Sequence, residues 1–379
     1  MNGQPTRTAA TKQLEARFYR LMMLDRYLWR GKHSESPRFS RKQAIVDEMH
    51  RELGLDRARE PEPIAEIDIS ELTLERFREV SDNLRRIVVV RGFGRDMRAV
   101  NTWTPEFLVG KLGEAPCNAL KYEHETVTEG WDKGAEVVTL PFREYIERMA
   151  DERLYLNNST DIITSCPELI DDLELDRIRE MFTDSAGGWD ELVTTNFFIS
   201  SNTVLTSVHH APGGNFFLQL AGRKRWTVID PAYTAFVHPV NGRPFQYCNS
   251  AYGGFRAAEL RGEGPDHPLA CIPRQQATLE PGDLLYNAPW WWHEVENLDV
   301  FNVGCAVRHV PRPFRRAPSW SNHRLFTATS LYPALRAATY AHYLRYRLTG
   351  DTTPFREVLN RLIIGLLHRS LKANKARNG

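Results

Sequence analysis

The sequence predicts a mainly-β fold, a barrel or double-sheet jelly roll, carrying helices at its N-terminal and C-terminal ends. Three observations predict it. Short apolar, β-branched runs recur through the middle of the chain, each bounded by Gly, Pro or Asn turn signals. The apolar period is helical before about residue 60, changes near Ile67, and is helical again from residue 331. Many short strands separated by turns are what a closed or double-sheet β architecture requires.

The elements follow in order. Leu14, Phe18, Leu21, Met22 and Leu28 share helical spacing within residues 9–30, with Gly31 as a stop. Ser40 is expected to cap a second helix that runs to Leu53 and ends at Gly54. REPEPIAE, residues 59–66, reads as a linker because Pro61 and Pro63 forbid a regular helix. Ile87 to Val90 followed by Arg91-Gly92 reads as a buried strand. Leu140-Pro141-Phe142 opens a helix to Met149, and Arg153 to Leu156 is a strand. Residues 193–211 and 215–229 read as two strands joined at Pro212-Gly213-Gly214. A loop-rich insertion spans 231–275, and Glu280-Pro281-Gly282-Asp283 turns the chain into LLYNAPWWWHEVENL. Val300 to Arg308 is the last strand, and helices are expected at 331–348 and 354–372. The final helix carries a wide apolar stripe (Phe355, Val358, Leu359, Leu362, Ile363) that either packs on its own barrel or forms a homodimer interface. Three regions result: a helical segment 1–63, a barrel 64–310, and a helical segment 311–379 open to either of those two roles, own-barrel packing or dimerisation.

Composition excludes several classes. A chain of 379 residues with 26% charged residues is ordinary for a soluble globular protein, and a net charge of +1 implies no global pull toward nucleic acid or membrane. The five cysteines are scattered with no C-x-x-C pair, which argues against a zinc knuckle or disulfide framework and for a reducing cytoplasm. MNGQPTRTAATKQ lacks an apolar signal core, and no run of ~18 apolar residues is present to span a bilayer. G-x-S-x-G, the P-loop and a strand-linked G-x-G-x-x-G are missing. The Arg-rich stretches at 345–347 and 369–377 read as a solvated helix face rather than a nucleic-acid surface.

The chemistry concentrates at TSVHHAPGG. Strand alternation puts His209 and Ala211 on one face and His210 on the other. His293 stands on a distant strand. Two histidines meeting inside a barrel make an open metal site, and two His plus one carboxylate with open positions suits non-haem Fe(II). Taken singly, either histidine is as readily a packed core residue.

Four segments shift that balance. RLYL at 153–156, Thr206 with His209 in T-x-x-H spacing, NFFLQLAGRKRW from Asn215, and PGDLLYNAPWWWH ending at His293 stand in one order. Together they resemble the Jumonji-C and cupin-like Fe(II)/2-oxoglutarate oxygenases, and within them the asparaginyl-hydroxylase pattern, over residues 64–308. The resemblance implies a double-stranded β-helix fold, with Fe(II), 2-oxoglutarate and O2 as cofactors. It makes His209 and His293 the iron ligands. Lys224 would pair with the distal carboxylate of 2-oxoglutarate, helped by Tyr155 and Thr206, and Asn215 would reach its iron-side end. A buried dicarboxylate needs such a cation and hydroxyl donors to offset its desolvation.

The family's carboxylate belongs where Ala211 stands, and an alanine methyl cannot ligate a metal. Three readings follow. In the first, chloride or bromide fills the vacancy, as in unrelated Fe(II)/2-oxoglutarate halogenases that carry Ala or Gly there. Ala211, Gly213 and Gly214 leave room for it. In the second, oxidation proceeds without halide, the vacancy being filled by water or a borrowed carboxylate. Glu294 has the wrong parity for that, Glu296 has it too unless the strand bulges, and His210 ligates only if the strand twists at Pro212. In the third, the barrel is non-catalytic, or the carboxylate was removed by design. An amino-acid or peptide substrate is expected, with Phe236, His238, Phe245, Tyr247, Tyr252 and Phe255 either lining its groove or covering the core.

Overall fold

The computed structural model describes residues 8–28, 35–55, 57–122, 136–178, 192–211, 213–241 and 248–309. The helices expected after residue 331, the proposed dimer face, Gly31, Phe245 and Tyr247 lie outside these.

Two helices open the chain, α1 (Ala9–Leu28) and α2 (Phe39–Glu52). Ser40 is not the cap of α2. Arg38 holds that position without a side-chain bond, and Ser40 lies inside the first turn. The helix stops at Gly54, whose φ of +61° favours a residue without a Cβ. The supposed linker is partly strand. β1 (Glu62–Pro63) pairs in parallel at the edge of one sheet and β2 (Glu66–Asp68) in parallel at the edge of the other. Proline is tolerated there because an edge strand need not donate on both sides.

There follow α3 (Leu74–Val80), β3 (Val88–Arg91), α4 (Arg98–Thr102), α5 (Pro105–Leu112), β4 (Pro116–Lys121), β5 (Glu136–Pro141), α6 (Phe142–Arg148), β6 (Leu154–Ser159) and α7 (Asp161–Ser165). The two long strands expected from 193 to 229 are four: β7 (Leu192–Ser200), β8 (Leu205–His210), β9 (Gly214–Ala221) and β10 (Lys224–Ile229). Gly222, with φ +65°, makes the tight turn that divides the last pair, so no single alternation runs through it. The insertion holds β11 (Pro239–Asn241), β12 (Cys248–Ser250) and α8 (Phe255–Leu260). The chain closes with β13 (Gln275–Leu279), β14 (Leu284–Asn287), β15 (Trp292–Asn297) and β16 (Asn302–His309).

These strands form a seven-stranded sheet in the order β1-β13-β10-β15-β8-β12-β11 and a nine-stranded sheet in the order β2-β3-β14-β9-β16-β7-β6-β4-β5. The mainly-β jelly-roll expectation is met. One face of each sheet points between them, where Phe198 packs on Phe217 and Phe217 on Trp226, with centroids 5.8 and 5.0 Å apart. The outer face of the nine-stranded sheet is covered by α3, α4 and α6, through Phe77 on Tyr286, Trp103 on Phe197 and the Tyr145 hydroxyl, which donates to the Ile199 carbonyl. α1 and α2 cover the outer face of the other sheet. Phe18, Val46 and Met49 share a buried cluster with Val208, Phe236, Trp290 and Trp292. At about 25 cal/mol per Å² of apolar surface, such burial outweighs any capping contribution, which explains why α2 forms without a side-chain cap.

Gly304 lies under the Phe217 ring, where an added Cβ would collide with ring atoms. Gly304→Ala is expected to destabilise the fold by about 1–3 kcal/mol through overpacking, read as a lower midpoint in denaturant with unchanged slope.

Candidate metal and cosubstrate site

β8 and β15 are antiparallel neighbours, and their register sets His209 directly opposite His293. The two imidazoles stand with ring centroids 4.1 Å apart, inclined at 56°. Each ring is oriented by its own strand. Nδ1–H of His209 donates to the Ser207 carbonyl at 2.9 Å, and Nδ1–H of His293 to the Trp291 carbonyl at 3.0 Å. A carbonyl can only accept, so both rings present Nε2 with its lone pair, the tautomer a metal ligand needs. Burial holds His209 down at about 4, the charge of Arg308 adding to it, and pushes His293 well below its ordinary range, helped by His209. Both rings are therefore neutral at pH 7. Trp226 stacks on His293 at 5.3 Å and 24°.

The other expected residues take their places around this pair. Lys224, only 2% exposed, stands across from Asn297 and donates to its Oδ1. Asn297 in turn donates to the Val204 carbonyl at 2.7 Å. Val204 shares a small cluster with Tyr155 and Tyr122, and Tyr155 shares a hydrogen bond with Thr206. Lys224, Tyr155 and Thr206 are thus linked by one chain of contacts. Among the described residues no carboxylate faces Lys224, and burial pushes its ammonium down to about 7. Asn215 lies on β9 opposite Asn287, and Oδ1 of each is buried without a hydrogen-bond partner. The amide of Asn287 stands 3.5 Å from His293 Nδ1 and Nε2. Because Asn215 and Lys224 belong to different sheets, the parity argument that would separate them does not apply.

Ala211 follows directly on β8, and its carbonyl accepts from the Trp290 amide at 2.9 Å. Trp290 sits at φ +72°, a region unfavourable to bulky residues, so this bond fixes the approach to β15 in a demanding conformation. The borrowed ligands stay away. His210 packs in the outer cluster, T-shaped on Trp292 at 4.4 Å. Glu294 turns outward and accepts from the amides of Phe255 and Arg256, its carboxyl pushed up to about 8 by burial. Glu296 pairs with Arg225 and Arg256, 3.1 Å from each. Among the described residues no group of three or more His, Cys, Asp or Glu converges on one point.

Within the insertion, Phe236 and His238 are buried under α1 and α2, so they cover the core rather than line a groove. Three site residues escaped the sequence reading. Asn297 shares parity with His293 and was findable from that offset. Tyr122 and Arg308 carried no local signal, because only the sheet order brings their strands to the site. Among the described residues no helix is long and apolar enough to cross a membrane.

The profile of a family described as "Cupin-like domain" matches residues 75–307. The tRNA wybutosine-synthesizing protein 5 of Gallus gallus is 26% identical over 269 residues, covering 63% of this chain and 76% of that protein. The bifunctional arginine demethylase and lysyl-hydroxylase psr-1 of Caenorhabditis elegans is 23% identical over 291 residues, 72% of this chain and 70% of that protein. HSPB1-associated protein 1 of Mus musculus is 34% identical over 97 residues, so the chain spans 18% of that protein's length and 24% of its own.

Proposed function

The chain belongs to the Cupin-like domain family, and on that premise we propose that it is a non-haem Fe(II)/2-oxoglutarate-dependent oxidoreductase whose two-histidine iron site takes a halide at the position freed by Ala211. The observation that carries the reading is the facing pair His209 and His293, both with Nε2 presented, beside an alanine and, among the described residues, beyond reach of a third His, Cys, Asp or Glu ligand. The donor set fits Fe(II) with open positions. The orphaned Asn215 Oδ1 and the cation of Lys224 fit a polar, dianionic cosubstrate between them. A relative named for arginine demethylation and lysyl hydroxylation supports oxidation of an amino-acid or peptide side chain, whereas the relative named for wybutosine synthesis acts on tRNA.

When bound, iron supplies a two-electron oxidation driven by decarboxylation of 2-oxoglutarate to succinate. This chain's residues do the rest. His209 and His293 would hold the metal through Nε2. Lys224, Thr206 and Tyr155 would grip the distal carboxylate and aim the keto acid. Phe198, Phe217 and Trp226 exclude water from the reacting end, which strengthens each charge interaction there. The methyl of Ala211 leaves both the space and the missing negative charge that a halide would restore. The overall reaction balances as C–H, halide, O2, 2-oxoglutarate and one proton giving C–halogen, succinate, CO2 and water.

Anaerobic Fe(II) plus 2-oxoglutarate is expected to give a metal-to-ligand charge-transfer band that chloride or bromide shifts and that His209→Ala and His293→Ala abolish. Succinate production insensitive to halide would replace this reading with halide-free oxidation. Absence of the band in the unaltered chain would leave a non-catalytic barrel.

A further inference from the structure

The interior of the barrel holds a buried donor that the reading above, on which this inference rests, leaves without a task. Trp226 lies on β10 and is 3% exposed. Its indole Nε1–H is buried and meets no hydrogen-bond acceptor among the described residues. A donor taken out of water with no acceptor to replace it works against folding. Tyr122, Ser200 and Ser207 also carry buried hydroxyls without partners, but a hydroxyl rotates and serves as donor or acceptor. An indole N–H only donates, in the one direction its ring allows.

The ring is held on two sides. It stacks on His293 with centroids 5.3 Å apart and packs T-shaped against Phe217 at 5.0 Å. Phe217 is itself pressed onto Gly304, so it has no room to retreat. Register then places the indole between the two ends of the site. Along β10, Lys224 stands opposite Asn297, Trp226 opposite Val295 and Val228 opposite His293. Alternation turns Lys224, Trp226 and Val228 to the same face, the one that meets Phe217 of the other sheet. On this strand, Trp226 is the side chain that lies between the Lys224 ammonium and a metal held by His293.

A molecule that reaches from that ammonium to the metal runs past the unpaired N–H. We propose that the Trp226 indole N–H is a further cosubstrate-binding donor, giving a hydrogen bond to a carboxylate oxygen of the keto acid that lies between Lys224 and the metal. The two groups are complementary. An ionised carboxylate only accepts, the indole only donates, and a hydrogen bond to an ionised acceptor is roughly twice as strong as one between neutral groups. In a dry barrel that difference grows, because no water competes for either partner. The N–H that lacks an acceptor in the unliganded fold then gains one when the cosubstrate binds, so its effect falls on affinity and not on folding.

The test follows indole N–H resonances by nitrogen–proton correlation NMR on the full chain loaded with Zn(II), a redox-inert metal, and N-oxalylglycine, an inert cosubstrate analogue. The chain has nine tryptophans, and the indole resonance missing from Trp226→Phe belongs to Trp226. That resonance is expected to move downfield when N-oxalylglycine binds and to stay in place with chloride or bromide alone. Benzothienylalanine placed at position 226 exchanges the N–H for sulfur in the same ring shape, and it supplies the assignment where the phenylalanine variant does not fold. It should weaken N-oxalylglycine by about tenfold or more, with the thermal midpoint of the unliganded chain unchanged or raised. Unchanged affinity in the benzothienylalanine protein overturns the proposal and leaves Trp226 a packing residue. A resonance that N-oxalylglycine does not move also overturns it, the N–H then resting on the Phe217 ring or on water. So does a resonance that moves with halide alone, which makes Trp226 a halide donor. Failure of the unaltered chain to bind N-oxalylglycine at all sinks the underlying oxygenase reading, and this bond with it.

Discussion

Lys224→Met is expected to weaken N-oxalylglycine binding by about 100-fold or more, with the thermal midpoint unchanged or raised. Two terms decide the result. Lys224 is buried, no anion among the described residues faces it, and its neutral partner Asn297 offsets little of the desolvation. Methionine fills nearly the same volume without that penalty, so folding does not suffer. A dicarboxylate arriving opposite Lys224 supplies the missing counter-charge, and the methionine variant forfeits it. The pH dependence separates this from general damage. Burial lowers the ammonium to about 7, so above that pH a growing fraction of the unliganded barrel is neutral at Lys224. Affinity for the dianion should then fall about tenfold per pH unit above 7 in the unaltered chain and stay flat in Lys224→Met. Stability runs the other way. Between 7 and the ordinary lysine range the unfolded chain binds the extra proton, so the unliganded protein gains stability as pH rises, and the variant lacks that slope. Titration calorimetry across pH 6.5–9 with Zn(II) present reads the affinity, and unchanged affinity in Lys224→Met would make the lysine a structural residue only.

Much of this site is written in short local patterns. The alternation of Trp292 to Asn297 fixes the direction of His293. T-x-x-H at 206–209, in contrast, spans an odd offset, and a register shift of β8 against β15 sets Thr206 opposite Val295 while His209 stays opposite His293. The opposition of His209 and His293 is not local. It follows from β15 pairing with β8 rather than with a sequence neighbour, a choice made by sheet closure. Parity did settle the negative cases: Glu294, Glu296 and His210 all turn outward as alternation requires. It failed where a turn resets it, between Asn215 and Lys224. It failed again at Asn158, because a bulge leaves no mark in the run LYLNNS. Arg308 was read as the end of an apolar strand because its partners, Asn215 and Asn158, lie far away in sequence. The helical pair at the N-terminus was legible as helices. Its place over Trp290 and Trp292 was not, since any wide apolar stripe is satisfied by any apolar surface.

Ala211→Asp carries the second large effect, and its direction tests the role given to the alanine. A carboxylate at 211 shares the face of His209 by alternation and completes the two-His-one-carboxylate set that holds Fe(II) most often. Two consequences follow from charge alone. The added negative charge repels halide from the metal and occupies its position, so the halide-induced shift of the charge-transfer band should disappear. Metal affinity should rise, by about tenfold or more, because a third protein ligand, and a charged one, joins two neutral imidazoles. Halogenated product is then expected to fall below detection, with hydroxylated product appearing if the substrate carbon is held within reach of the oxidant. The backbone permits the change: Ala211 is half-buried, and it is its carbonyl, not its side chain, that accepts from the Trp290 amide. Mass analysis of products with chloride and bromide, alongside Fe(II) titration, reads both effects. If Ala211→Asp still responds to halide and still transfers it, the halide does not sit at this position. If the unaltered chain makes only hydroxylated product and the variant makes more of it, the alanine limits metal loading rather than admitting an anion.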